Sequence, residues 1–158
     1  MKVFISYGSV SDQVTALRLQ ALGAVNGLTI YVPPAYTRQQ SYISIDPEAA
    51  QALRDTDFVL GIVGFADSTA CREELNLARV LTKKIIVMTE EAAAPYFRSY
   101  FDENLVIINS MNPHKTELDI VEHLKRLDAN QQANKALVAL GTLALGLLIF
   151  ALVQPSQD

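Results

Sequence analysis

Short apolar runs alternate along the chain with segments of helical spacing, which predicts an α/β fold built on a parallel sheet. The runs that predict strands are 3–7, 28–32, 58–64, 84–89 and 105–108. The segments that predict helices are 12–25, 47–54, 68–81, 90–102 and 115–127. This order favours an open, doubly wound sheet, whose ligands bind beyond the carboxyl ends of the strands.

Two of these helices carry specific expectations. In the helix predicted over 12–25, Val14, Leu17 and Ala21 fall on one side, which is the spacing of a face that packs on a core. In the helix predicted over 90–102, Pro95 is expected to break the helix, because proline removes a backbone donor.

Glu74 is the most informative residue, because it lies on the apolar face of the helix predicted over 68–81. The apolar members of that face are Cys71, Leu75, Ala78 and Leu81, and the opposite face carries Arg72, Asn76 and Arg79. A carboxylate on an apolar face is costly unless it has a partner or a task. A purely structural explanation stays open, since the helix dipole favours acidic residues near a helix start.

The turn after the first strand lies on the same rim of the sheet. Its residues Gly8, Ser9 and Ser11 offer backbone N–H groups that can hold a phosphate, although ordinary turn chemistry is the favoured explanation when this loop is taken alone. Neither the glycine pattern of dinucleotide-binding folds nor a P-loop pattern is present. A standard dehydrogenase or nucleoside triphosphatase is therefore disfavoured.

The carboxyl-terminal segment 136–153 contains only apolar residues, glycine and one threonine. As a helix it would span roughly 27 Å, close to the thickness of a bilayer core, which predicts a transmembrane helix. A polar linker is expected at 128–135 and a short tail at 154–158. Lys125, Arg126 and Lys135 precede the segment, so the positive-inside rule keeps the folded domain in the cytoplasm. The alternative is an apolar helix that packs on the domain or on copies of itself.

Composition limits the partners. The 158 residues carry a net charge of −4, with lysine and arginine scattered along the chain, so no nucleic-acid partner is expected. Cys71 is the single cysteine and there are two histidines, so neither a disulfide within the chain nor a metal site is expected.

These residues together resemble a Toll/interleukin-1 receptor (TIR) domain of the small bacterial kind. The similarity lies in the strand Phe4-Ile5-Ser6-Tyr7 followed by Asp12, in the strand Asp57-Phe58-Val59-Leu60, and in a helix with Ser68, Cys71, Glu74, Leu75 and Ala78. It covers residues 1–127 and implies a flavodoxin-like fold with a five-stranded sheet. In catalytic relatives, the glutamate of that helix is essential for cleaving the nicotinamide–ribose bond of NAD+.

The resemblance implies a function as well as a fold. Glu74 becomes the expected catalytic residue of an NAD+ glycohydrolase or cyclase, with NAD+ as its substrate and no further cofactor. The expected substrate-binding residues are Ser6, Tyr7, Gly8, Ser9, Arg38, Ser68 and Cys71. Such proteins self-associate and answer an upstream signal, which suggests an effector of bacterial antiviral defence at the inner membrane.

The chain departs from the family pattern at two places. Ala70 stands where catalytic relatives often carry an aromatic residue, and the chain has no tryptophan. Base stacking would then pass to Tyr7, Tyr36 or Phe65. The loop at 33–46 lacks glycine, so assembly through it is expected to differ from the family pattern.

Two other functions stay open. One is a non-catalytic, membrane-anchored TIR adaptor, which Ala70 favours. The other is an enzyme similar to nucleoside deoxyribosyltransferases, in which Glu74 would be a covalent nucleophile. A serine hydrolase is disfavoured, because His114 and His123 come late in the chain and no G-x-S-x-G pattern exists.

Overall fold

The computed structural model describes residues 1–35, 45–64, 68–101 and 104–152, and from 135 onward only the backbone is described. Its strands are β1 (Lys2–Tyr7), β2 (Thr29–Tyr31), β3 (Phe58–Val63), β4 (Lys84–Thr89) and β5 (Leu105–Ile107). They form one parallel sheet of order β2–β1–β3–β4–β5, which confirms the predicted strands and is consistent with a flavodoxin-like fold.

Five helices are present among the described residues. They are α1 (Val10–Val25), α2 (Pro47–Arg54), α3 (Thr69–Val80), α4 (Ala94–Phe101) and α5 (Pro113–Leu152). The start of α2 follows from its sequence, because Pro47 occupies the first turn. The Asp46 carboxylate caps the helix by accepting hydrogen bonds from the amides of Glu48 and Ala49.

The hydrophobic core is built around β3, which is buried along its whole length. Because side chains alternate across a strand, Phe4, Val59 and Val87 point to one face, where they cluster with residues of α2 and α3. Gly61, in the middle of β3, lets α3 approach closely: a Cβ there would lie 3.1 Å from Leu75 Cδ2.

The buried face of α1 differs from the prediction. Val14 and Leu17 are about half exposed, and Ala21 is exposed as well. The helix instead buries Asp12, Ala16, Leu19 and Gly23. Small residues are needed there because α1 packs tightly on β2: a Cβ at position 23 would lie 2.3 Å from Ile30 Cδ1.

Pro95 does not break a helix, which corrects a second expectation. Residues 91–93 form a turn, and α4 begins at Ala94, so that Pro95 occupies its first turn. Proline is tolerated at that position, because the amide it lacks would have no partner within the helix.

The polar segment 128–134 is also helical, as part of α5, so the predicted linker is not an irregular stretch. No proline or glycine interrupts it, and the Gln132 amide donates to Asp128 at 3.0 Å, four residues earlier. The preceding turns carry a similar pair, in which Arg126 contacts Glu122 at 2.5 Å. Contacts divide the chain into units 1–121 and 122–158, with the boundary inside α5.

Among the residues whose side chains the structure describes, no helix combines the length and the apolar character that a membrane crossing requires. The side chains of the anchor predicted at 136–153 lie outside the described residues, as does the whole tail at 154–158.

Helix α3 ends in a Schellman motif. The amide of Lys83 donates to the carbonyl of Ala78 at 2.9 Å, and the amide of Thr82 donates to that of Arg79 at 3.0 Å. This motif requires a left-handed residue, and here that residue is Thr82, with φ of 52°. A β-branched side chain is strained in that conformation, where glycine is usual.

Replacing Thr82 with glycine is therefore expected to stabilise the protein by about 1 kcal/mol, because glycine adopts a left-handed conformation without a steric cost. Urea denaturation of the full chain measures the change. Thr82→Ala is the matched control: it loses the same hydroxyl contact to Leu81 but keeps the Cβ. Equal stabilisation by both variants would show that backbone strain is not the cause.

Candidate functional site

The candidate site lies at the carboxyl ends of β1 and β3, which are neighbours in the sheet. Ser6 and Tyr7 end β1, and α3 begins shortly after β3, with Ser68 as its N-cap. Pairing of β1 with β3 sets Ser6 opposite Gly61. Topology thus brings two distant parts of the sequence to the rim where ligands bind in such sheets.

Glu74 lies on the face of α3 that packs against the sheet, as helical geometry predicts. The residue is only 3% exposed, whereas its neighbour Glu73 is half-buried. The hydroxyl of Ser6 donates a hydrogen bond to Glu74 Oε2 at 2.5 Å. A bond this short to a charged acceptor compensates part of the cost of burying the carboxylate.

Ser6 and Cys71 complete a small polar cluster around Glu74. Ser6 is fully buried, and its Oγ also lies 3.1 Å from Cys71 Sγ. A serine hydroxyl carries one hydrogen, and the carboxylate is the stronger acceptor of the two, so the contact with the thiol is secondary. The cluster joins β1 to α3, and three predicted site residues are thereby brought together.

A second buried carboxylate, Asp12, lies on the same rim. The hydroxyl of Ser9 caps α1 by accepting from the Asp12 amide at 3.2 Å, and it donates to Asp12 Oδ2 at 2.8 Å. The amide of Gly64 also donates to Oδ2, at 3.4 Å. Sequence reasoning used Asp12 only as part of the family motif, although its spacing from Ser9 is that of a capping box.

The other predicted binding residues have structural tasks. Tyr7 is 2% exposed and donates its hydroxyl to the carbonyl of Pro33, so its ring offers no face on which a base can stack. The amide of Gly8 donates to the carbonyl of Ile62, which removes one donor from the expected phosphate cradle. The Ser68 hydroxyl accepts from the amide of Cys71 as the cap of α3.

Several predictions fall on positions that the structure does not describe. Arg38 and Tyr36 belong to the segment 36–44, and Phe65 belongs to 65–67. All three lie outside the described residues. Ala70 is described and is buried at the start of α3, beside the Glu74 cluster in the sequence.

A cavity of about 640 Å³ opens beside this cluster, between α3 and α4. Val63, Gly64, Cys71 and Leu75 line its inner side. Glu74 does not line it. The carboxylate therefore faces the sheet, whereas the cavity lies on another side of the same helix. In the part of the chain that the structure describes, no group of three His, Cys, Asp or Glu side chains could hold a metal ion.

No protein-family model matches this sequence, and no curated protein matches it. Among solved structures, the chain is similar to the solution structure of BlsM, with a TM-score of 0.58 and 15% sequence identity. The alignment covers 80% of this chain and 93% of BlsM. At this level of identity the similarity shows the fold alone, and it agrees with a flavodoxin-like sheet.

Proposed function

We propose that this protein is a TIR-like enzyme that cleaves the N-glycosidic bond of NAD+, with Glu74 as its catalytic residue. The observation that carries the proposal is the buried carboxylate of Glu74 on the ligand-binding rim, held by the hydroxyl of Ser6. Buried carboxylates with a fixed orientation are characteristic of sites that stabilise positive charge.

The chemistry suits a single carboxylate. The bond between ribose C1′ and the pyridinium nitrogen breaks, its electron pair leaves with neutral nicotinamide, and positive charge develops on the ribose. Glu74 stabilises this oxocarbenium-like state. Water then adds to C1′ and releases a proton, which gives ADP-ribose, whereas an internal acceptor gives a cyclic product. No strong general acid is required, because the leaving group departs uncharged.

Replacing Glu74 with glutamine is expected to lower the rate of NAD+ loss at least a hundredfold, because the charge is removed while the volume is kept. The measurement is nicotinamide release by the full chain, reconstituted in vesicles at high surface density. Glu73→Gln is the matched control, since this neighbour on α3 is half-buried and the side chain of Ser6 contacts Glu74 and Cys71 instead. It should retain full activity.

The same assay separates the competing functions. Negligible turnover by both the unmodified chain and Glu74→Gln, under assembled conditions, would overturn the enzyme proposal and favour an adaptor. That alternative has a specific observation behind it, because Glu74 is 3% exposed and lies outside the cavity lining. A glycosylated Glu74 peptide, trapped during turnover and identified by mass spectrometry, would instead favour a deoxyribosyltransferase-like mechanism with Glu74 as nucleophile.

Self-association is part of the proposal, and the exposed face of α1 supports it. One side of α1 carries five exposed apolar residues within an arc of roughly 80°, at 100° per residue. They are Val10, Val14, Leu17, Ala21 and Val25. An apolar stripe of this kind on a soluble surface is characteristic of an interface.

A second copy of the chain is the partner that fits this stripe. The charged residues of α1 are Asp12, which is buried, and Arg18, which is paired with Glu117 at 2.6 Å. The stripe itself therefore contains no charged residue, and the half-exposed Arg18 at its edge is already paired with a carboxylate. Such a face suits a symmetric contact between two α1 helices, since interface cores are depleted in charge.

Val14→Glu is expected to convert an assembled form into monomers, because two carboxylates would be buried at a symmetric contact. Analytical ultracentrifugation of the full chain in detergent measures the change. Val80→Glu is the matched control, since Val80 is 78% exposed on α3, away from the stripe. Dissociation by Val80→Glu, or none by Val14→Glu, would contradict an interface at α1.

Membrane anchoring through 136–153 completes the proposal and would raise the local concentration of the domain on the cytoplasmic face of the inner membrane. In that setting, an upstream activator would trigger assembly and NAD+ depletion during antiviral defence. The support for anchoring is the length and the apolar character of the segment.

Carbonate-washed membranes are expected to retain the full chain but not a chain that ends at residue 134, because only the former has an apolar segment long enough to span the bilayer. Immunoblotting of pellet and supernatant measures the distribution. Release of both proteins into the supernatant would exclude an integral anchor, and an oligomeric full chain in the supernatant would favour packing of the segment on itself.

A further inference from the structure

The cavity between α3 and α4 has two chemically different walls, and the proposed mechanism uses neither. It opens at the carboxyl ends of the strands, next to Val63 at the end of β3, Gly64 directly after β3 and Ala93 after β4. Its volume of about 640 Å³ lies within the range of small-molecule sites. The chemistry of its walls indicates what kind of molecule fits it.

The wall supplied by α3 is cationic. Arg72, Asn76 and Arg79 are spaced four and three residues apart, so they follow one another along a single face of the helix, and all three are exposed. Among the described residues, the cavity lining contains no aspartate or glutamate. The two guanidinium groups on this wall favour an anion, although the chain as a whole is acidic.

The wall supplied by α4 is aromatic. Tyr96 and Tyr100 are 75% and 66% exposed. Each is followed directly by a phenylalanine, Phe97 or Phe101, that also lines the cavity. Phe97 and Phe101 are partly buried and also pack against the core, whereas the exposed rings of Tyr96 and Tyr100 suit stacking against a flat, unsaturated group.

We propose that this cavity binds a nucleotide, with the base against the aromatic side chains of α4 and the phosphates on the guanidinium groups of α3. A nucleotide combines a planar ring and an anion at the two ends of one molecule, which matches the different chemistry of the two walls. Guanidinium groups recognise phosphate oxygens in a bidentate manner, which gives the phosphate end its orientation.

The inference stands on this cavity and does not depend on NAD+ cleavage. Cys71 is shared between the cavity lining and the cluster around Glu74, but Glu74 itself does not line the cavity. ADP is a suitable probe, because it carries a base and phosphates but no nicotinamide that could be released. ADP shares its base and phosphates with NAD+, so the variant Arg79→Gln, at a residue that lines the cavity and lies outside the Glu74 cluster, is what assigns ADP binding to this cavity.

Isothermal titration of the full chain in detergent with ADP, adenosine, pyrophosphate and benzoate tests the proposal. ADP is expected to bind at least tenfold more tightly than adenosine or pyrophosphate. Adenosine offers only the base for the aromatic wall, and pyrophosphate offers only the phosphates for the cationic wall. Arg79→Gln should weaken ADP binding at least tenfold and leave adenosine within twofold. Tyr100→Ala should weaken both ADP and adenosine.

Arg98→Gln is the matched control, because Arg98 is an exposed arginine on α4 that does not line the cavity. Its ADP affinity should equal that of the unmodified chain, and all variants should share its melting temperature. Three results would overturn the proposal: no ADP binding at millimolar concentration, ADP binding that is insensitive to Arg79→Gln, or benzoate binding as tight as that of ADP. The last would assign the cavity to aromatic acids.

Discussion

The hydrogen bond from Ser6 to Glu74 is the constraint on which the arrangement of this rim depends. A carboxylate that is 3% exposed is tolerated only where its desolvation is compensated, and Ser6, itself fully buried, supplies a charge-assisted bond of 2.5 Å. The bond forms because β1 lies beside β3 and because Gly61 lets the following helix pack closely on the sheet. Strand order, one glycine and one hydroxyl thus fix where α3 lies.

Asp12 is a second buried carboxylate on this rim, and it too is compensated by hydrogen bonds. Its carboxylate accepts from Ser9 and from the amide of Gly64, so it holds the start of α1 against the end of β3. A side chain at position 64 would intrude on this contact, because its Cβ would lie 3.0 Å from Asp12 Oδ1. The two carboxylates differ in what they stabilise: Asp12 lies in the first turn of α1 and binds the hydroxyl of its N-cap Ser9, whereas Glu74 lies in the second turn of α3, where no cap requires it.

Much of this architecture is predictable from local patterns, since strands and helices follow from apolar periodicity, and Pro47 and Ser68 define helix starts. Glu74 is predictable for the same reason, because its place on an apolar helix face depends only on helical geometry. The face that α1 buries is not predictable in this way. The exposed face of α1 is the more apolar one, and the buried face instead combines Asp12, Ala16, Leu19 and Gly23, with Gly23 packed closely on Ile30 of β2. The cavity is not predictable from local patterns either, because its walls come from two helices that only the folded sheet brings together.

The burial of Glu74 places a condition on the proposed chemistry. A ribose cannot reach a carboxylate that is 3% exposed, so turnover requires a rearrangement of the side chains around it. The Ser6 bond and the packing of Leu75 beside Gly61 oppose such a change within a single chain. A contact with a second copy supplies the free energy that an isolated domain lacks, if the contact is stronger in the open state than in the closed one. The proposed dependence on assembly is therefore compatible with the buried position of the carboxylate.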